Sequence, residues 1–278
     1  MINVIIGKNS NLSKLLKQNI THSHLVSSQE IEQELDNLNL SNYKNINIVF
    51  NNFQVSTKLN DLAHPSEYIN RSIMTTAMVL EYIKINNLDI HKIIYSSSSA
   101  VYGNNEYCNE SDPLNPLSLH SSLKIANEKM IASFCNENRI NYTITRIFNM
   151  YGGDDHFSII SKIADAYIHD KTLNIFNNGT AIRDFIHIND VVAIYKILLE
   201  DNINASTLNL GRGIGMSVKD LLDFLEENGI HVKTSSRARN ELKTSTANVS
   251  RLLDIIGEKE FISLKDFLLQ NIQKAQVN

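Results

Sequence analysis

The feature that most constrains this chain is an alternation of two spacings. Short apolar runs of strand length occur at Ile2 to Ile6, His24 to Ser28, Ile46 to Phe50 and Asn141 to Phe148. Between them lie segments with apolar residues at helical spacing: Asn11 to Asn19 with Leu12, Leu15 and Leu16, a long run from Glu67 to Asn86, and another from Ser121 to Asn136. A strand that returns through a helix before the next strand pairs in parallel, because only the crossover brings the chain back to the same edge. The expected architecture is therefore α/β, with a parallel, doubly wound sheet. After Tyr151-Gly152-Gly153 the alternation loosens into a helix at Phe157 to His169, strand-like runs at Leu173 to Phe176 and Thr207 to Leu210, and helices at Val191 to Glu200 and Ser217 to Asn228, the last with Ser217 as candidate cap.

The stretch Ile93 to Glu128 reads as a strand that empties onto serines, a polar loop with two of the three prolines, and a helix. A buried strand followed by a helix opens a crevice at its carboxyl end, where open α/β sheets place ligands. The first turn, Gly7-Lys8-Asn9-Ser10-Asn11-Leu12-Ser13, lies between a strand and a helix. Such a turn aims backbone N–H groups and a helix amino terminus at an anion, which suits a pyrophosphate held by Gly7, Ser10, Asn11 and Leu12. Glycine stands at only the first of the three fingerprint positions, and Ser10 and Ser13 keep a Cβ where the backbone should approach the phosphates. The second strand ends in Val26-Ser27-Ser28, with no acid for an adenosine ribose and no base for a 2′-phosphate. The choice between NAD and NADP stays open, and Lys8 is either a neighbour of a 2′-phosphate or a solvated lysine.

Composition removes other classes. The 278 residues are 42% hydrophobic, enough for one large domain or a domain and a small lobe, and the net charge of -4 gives no basic surface for nucleic acid and no polybasic segment for a membrane. Cys108 and Cys135 make neither a disulfide framework nor a metal spacing, so no metal is expected. The opening residues run straight into a strand and no apolar run reaches membrane-spanning length, so a cytoplasmic protein is expected. Two long helices apolar on more than one side predict a homodimer.

Five segments together resemble the extended short-chain dehydrogenase/reductase family, in particular its nucleotide-sugar epimerases, dehydratases and reductases. They are Ser96-Ser-Ser-Ser-Ala-Val-Tyr-Gly103, the loop Glu110 to Pro116 with Lys124 and Glu128 after it, Arg146-Ile-Phe-Asn149-Met-Tyr-Gly152, Arg183-Asp-Phe-Ile-His-Ile-Asn-Asp190, and Leu208-Asn-Leu-Gly211 followed by Ser217-Val218. They fall in the family's order across almost the whole chain. The resemblance implies a Rossmann-like NAD(P)-binding domain over residues 1–171, to which about 186–211 return, and a smaller C-terminal substrate-binding lobe over 172–278. It implies NAD or NADP as cofactor, a nucleoside diphosphate sugar as ligand, and hydride transfer at or near sugar C4.

By position, Ser98 matches the hydroxyl that binds the sugar oxygen and Lys124 the lysine that holds the nicotinamide ribose. The family's tyrosine position is His120, either a general base whose neutral form Lys124 favours or a plain loop-to-helix residue. Asn149 and Arg183 match diphosphate contacts, and Arg239 lies in a loop where the family often has another phosphate-binding arginine. Asp184 and His187 are expected to hold their loop. Dehydratases carry an Asp-Glu pair where this chain has Ser99 and Ala100, which favours epimerase or ketoreductase chemistry over elimination. The rival expectation is a non-catalytic relative that binds a nucleotide sugar or a partner enzyme, motivated by Ser10, Ser13, Asn52, Phe53, Ser72, Thr75 and His120 at positions the family fills otherwise.

Overall fold

The computed structural model describes residues 1–52, 65–200, 203 and 205–277. In chain order its elements are β1 (Ile2–Ile6), α1 (Asn11–Asn19), β2 (Ser23–Val26), α2 (Ile31–Asn37), β3 (Ile46–Phe50), α3 (Pro65–Ile69) and α4 (Thr75–Ile85). There follow β4 (Ile90–Ser98), β5 (Tyr107–Cys108), α5 (Leu119–Asn138), β6 (Asn141–Ile147), β7 (Asn149–Tyr151) and α6 (Ile159–Ile168). The rest are β8 (Leu173–Phe176), β9 (Ile182–His187), α7 (Ile188–Glu200), β10 (Thr207–Leu210), β11 (Gly215–Ser217), α8 (Val218–Glu227), β12 (Thr234–Arg237), β13 (Thr244–Ala247), α9 (Ser250–Ile256) and α10 (Leu264–Val277).

The chain forms two compact units. Unit 1 comprises residues 1–103, 113–147 and 192–208, and unit 2 comprises 104–112, 148–191 and 209–278. This partition leaves residues 104–112 and 148–171 of the 1–171 span in unit 2, where the strand expected over Asn141 to Phe148 ends at Ile147 and a separate short strand, β7, pairs in parallel with β9.

Unit 1 is built on a six-stranded sheet in the order β10-β6-β4-β3-β1-β2. The pairs β1–β2, β1–β3, β3–β4 and β4–β6 are all parallel, as the strand–helix alternation predicts. From β1 the chain goes to one side for β2 and to the other for β3, so the order reverses between β1 and β3 and opens a crevice beyond their carboxyl ends. Every residue of β1 and β3 is buried, the mark of strands covered by helices on both faces.

The run expected as one helix from Glu67 to Asn86 is broken in two. A π-helical turn at Asn70–Met74 separates α3 from α4. One inserted residue widens the turn and frees carbonyls that then need side-chain donors. In unit 2, β11, β9, β13 and β5 form one sheet and β12 pairs with β8. Its core gathers Ile160, Ile163, Phe185, Leu221, Leu225, Leu264 and Leu268. Among the described residues no helix is long and apolar enough to cross a membrane.

Candidate active site

Unit 1 carries the first turn, and its geometry explains the serines. Gly7 has φ +106°, and a Cβ there would stand 2.4 Å from the Asn51 carbonyl oxygen at the end of β3, so only glycine fits. Ser10 caps α1 from an extended conformation, its Oγ accepting the Ser13 N–H. Asn51 Nδ2 donates to Ser10 Oγ at 2.7 Å and to Ser13 Oγ at 2.9 Å. The two hydroxyls thus replace glycine by a polar tie between α1 and β3. Asn11 is half-buried, and the Leu12 side chain belongs to the core, so only the backbone of Leu12 can face a ligand.

One acidic residue escaped the sequence reading. Glu34, from the middle of α2, accepts the Ser27 N–H at 2.7 Å and stands 3.5 Å from Lys8 Nζ. The only signal for it was helical spacing: Ile31 and Leu35 bury their face of α2, and Glu34 sits beside both.

Ser98, His120 and Lys124 also lie in unit 1. Ser98 closes β4, and its Oγ accepts the Ala100 N–H at 3.2 Å. Ser118 and Ser121 cap α5 reciprocally, which sets His120 in its first turn and Lys124 one turn on. Lys124 is 5% exposed; its Nζ donates to the Ser96 carbonyl at 2.6 Å and lies 5.0 Å from the Tyr95 ring centre. Burial pulls its pKa down to about 7, with the Glu128 charge acting the other way. Burial, then the charge of Lys124, holds His120 at about 3. Lys124 therefore stands at the carboxyl end of β4 as the resemblance requires, whereas the imidazole is a neutral ring and a poor proton acceptor at neutral pH.

Behind this pair lies a buried charge network. Arg146 at the end of β6 donates from Nη2 and Nε to Glu128, at 2.8 and 3.2 Å, and from Nη1 to Tyr102 Oη at 3.0 Å. The Ser97 hydroxyl donates to Glu128 as well. The substituted positions next to it form a second network: Asn52 Nδ2 donates to the carbonyls of Arg71 and Ser72 in the π turn at 3.2 and 3.3 Å. Thr75 Oγ1 donates to the Asn70 carbonyl and Asn127 Nδ2 to Ser72 Oγ. Asn52 and Thr75 thereby satisfy carbonyls of the widened turn. Phe53 lies outside the described residues.

Unit 2 holds Asn149, Arg183 and Arg239. Asn149 Nδ2 donates to the Asp184 carbonyl at 2.8 Å. Arg183 pairs with Glu241 at 3.4 Å and donates to the Ile182 carbonyl. Arg239 lies 4.8 Å over the Phe176 ring, and its backbone is joined to Asn177, whose Nδ2 also reaches Glu241. Asn177 and Glu241 thus gather the two arginines. Asp184 accepts the N–H groups of Arg212, Gly213 and Ala247 at 2.8, 2.9 and 3.1 Å, and His187 accepts the Asn189 N–H while packing edge-on against Tyr151 and Phe267. Both hold loops. Among the described residues no cluster of His, Cys, Asp or Glu has a metal-binding arrangement.

The chain is similar to known proteins over most of its length. The profile described as the NAD dependent epimerase/dehydratase family matches residues 9–211. The chain is 27% identical over 230 residues to a UDP-glucose 4-epimerase of Halalkalibacterium halodurans, covering 72% of this chain and 67% of that protein. It is 26% identical over 223 residues to a dTDP-D-glucose 4,6-dehydratase of Dictyostelium discoideum, covering 75% and 48%. Against several curated relatives the chain spans about half their length. Among solved structures, MoeE5 in complex with UDP-glucuronic acid and NAD superposes with a TM-score of 0.85 at 21% identity, over 100% of this chain and 99% of that one. A UDP-glucose 4-epimerase of Thermotoga maritima with UDP-glucose gives a TM-score of 0.85 at 18% identity over the same shares. These likenesses establish the Rossmann-like fold.

Proposed function

The chain belongs to the NAD-dependent epimerase/dehydratase family, and on that premise we propose that it is a nucleotide-sugar epimerase or ketoreductase working at or near sugar C4 with NAD. One observation carries the reading: a buried lysine, Lys124, is held at the carboxyl end of β4, two residues before which Ser96 supplies its carbonyl and at whose last position stands the Ser98 hydroxyl. The residues present fit a dinucleotide. Gly7 lets the first turn sit tight against the end of β3 beneath the amino terminus of α1, and Lys124, held by the Ser96 carbonyl, stands near the end of β4.

A nicotinamide, when bound, supplies the hydride acceptor or donor. Ser98 would hydrogen-bond the sugar oxygen. Lys124, buried and bonded to the Ser96 carbonyl, would hold the nicotinamide ribose, and His120, held at about 3, serves as an uncharged hydrogen-bonding ring beside it. Unit 1 is assigned as the cofactor domain and unit 2 as the sugar-nucleotide lobe. There Asn149, Arg183 and Arg239 receive the diphosphate, which competes with Glu241 for Arg183. A homodimer through the α3–α4 run belongs to the same proposal, supported by the exposure of Ile69, Met74 and Ile85 on it.

The low pKa of His120 favours a second reading, a relative that binds a nucleotide sugar without turning it over. Calorimetric titration with NAD and with UDP-glucose, followed by chromatography for a C4 epimer, separates the two. Binding of both ligands with epimer formation supports the enzyme. UDP-glucose binding without dinucleotide binding sinks it in favour of the binder.

A further inference from the structure

The end of β2 is where a dinucleotide fold presents a carboxylate to the adenosine ribose, and this chain has serines there. The structure fills the gap from another element. The turn after β1 is bound to the end of β2, since the N–H groups of Gly7 and Lys8 both donate to the Val26 carbonyl, at 2.9 and 3.1 Å. At that junction the carboxylate of Glu34 arrives from α2, one oxygen 2.7 Å from the Ser27 amide nitrogen and the other 3.5 Å from Lys8 Nζ. Its side chain is 20% exposed. A carboxylate offers about four acceptor sites, so these two contacts leave it able to accept from hydroxyl groups.

The surroundings carry the same sign. An open cavity of about 740 Å³ is lined by the start of α2 and by α3–α4, with Glu30, Glu32 and Glu67 among its walls. Its arginine, Arg71, is already paired with Glu67 at 2.7 Å. Lys8 is likewise paired with Glu34. Lys8 and Arg71, among the described residues, thus each face a glutamate before any phosphate arrives. Since a 2′-phosphate carries close to two negative charges, it would meet repulsion where a ribose hydroxyl meets an acceptor.

We propose that Glu34 is the residue that selects NAD over NADP, standing in from α2 for the acid missing at the end of β2. The inference rests on the dinucleotide reading above and adds to it the residue that reads the adenosine ribose.

The test is calorimetric titration of NAD and NADP into the wild type, Glu34→Gln and Lys8→Ala, with thermal unfolding to show that each variant is folded. Wild type should bind NAD more tightly than NADP. In Glu34→Gln, replacing a charged acceptor by a neutral one should weaken NAD by about tenfold and narrow the NAD-to-NADP ratio by at least that factor. Lys8→Ala should keep the preference for NAD. A purely structural Glu34 would weaken both dinucleotides equally and leave the ratio in place, which overturns the proposal while the dinucleotide reading survives. Tighter NADP binding by the wild type, or loss of NADP alone in Lys8→Ala, overturns it too. If neither dinucleotide binds the wild type, the underlying reading fails with it.

Discussion

Arg146 and Glu128 form a two-pronged ion pair inside unit 1, with side chains only 7% and 4% exposed, and Glu128 sits one helical turn beyond Lys124. The same carboxylate takes the hydroxyl of Ser97, the neighbour of Ser98. One glutamate therefore ties the ends of β4 and β6 to α5. Removing one partner of such a pair strands the other charge in the interior. Glu128→Ala is expected to cost about 3–5 kcal/mol of stability. Urea unfolding of the two proteins measures it, and an unchanged midpoint would show that the guanidinium finds other acceptors.

A pH dependence follows from His120. Its folded pKa of about 3 lies below the ordinary 6.5, so between those values the unfolded chain binds more protons than the folded one. Stability should rise with pH through that window and fall as the solution is acidified toward its lower edge. Urea midpoints of wild type and His120→Gln, compared across the window, report it. The variant should show a flatter profile; parallel curves would mean that the ring titrates normally.

The approach of Gly7 to β3 sets a further expectation. Gly7→Ala adds a Cβ 2.4 Å from the Asn51 carbonyl at a φ of +106°. Backbone strain of this kind costs roughly 1–3 kcal/mol, and the turn has to move away from β3 to relieve it. The variant is expected to unfold at lower temperature and to lose dinucleotide affinity in the calorimeter. Wild-type affinity would show that the turn does not contact the ligand.

Elements such as β1, β3 and α8 were legible in the sequence because each depends on a local pattern, whereas α2, β12, β13, α9 and α10 were not read from it. Ile2–Ile6 and Ile46–Phe50 are continuous apolar runs that suit strands covered on both faces, and Ser217 caps α8 three residues from the Asp220 it pairs with. Motif order likewise placed Lys124 on a helix after the serine-rich strand. What the sequence alone did not contain were contacts between distant residues. Asn51 reaches Ser10 across 41 residues, Arg146 reaches Glu128 across 18, and Arg183 reaches Glu241 across 58. Periodicity reports which face of an element is apolar, and it is silent about which polar side chains converge once strands are ordered. The π turn at Asn70–Met74 escaped for a related reason: one extra residue barely disturbs an apolar helical face, yet it changes which carbonyls need Asn52. Local pattern determined the strands β1, β2, β3, β4 and β6 of the parallel sheet. Only the tertiary structure decided that Glu34 would stand at the end of β2, because a carboxylate from the middle of a helix acquires that position through packing.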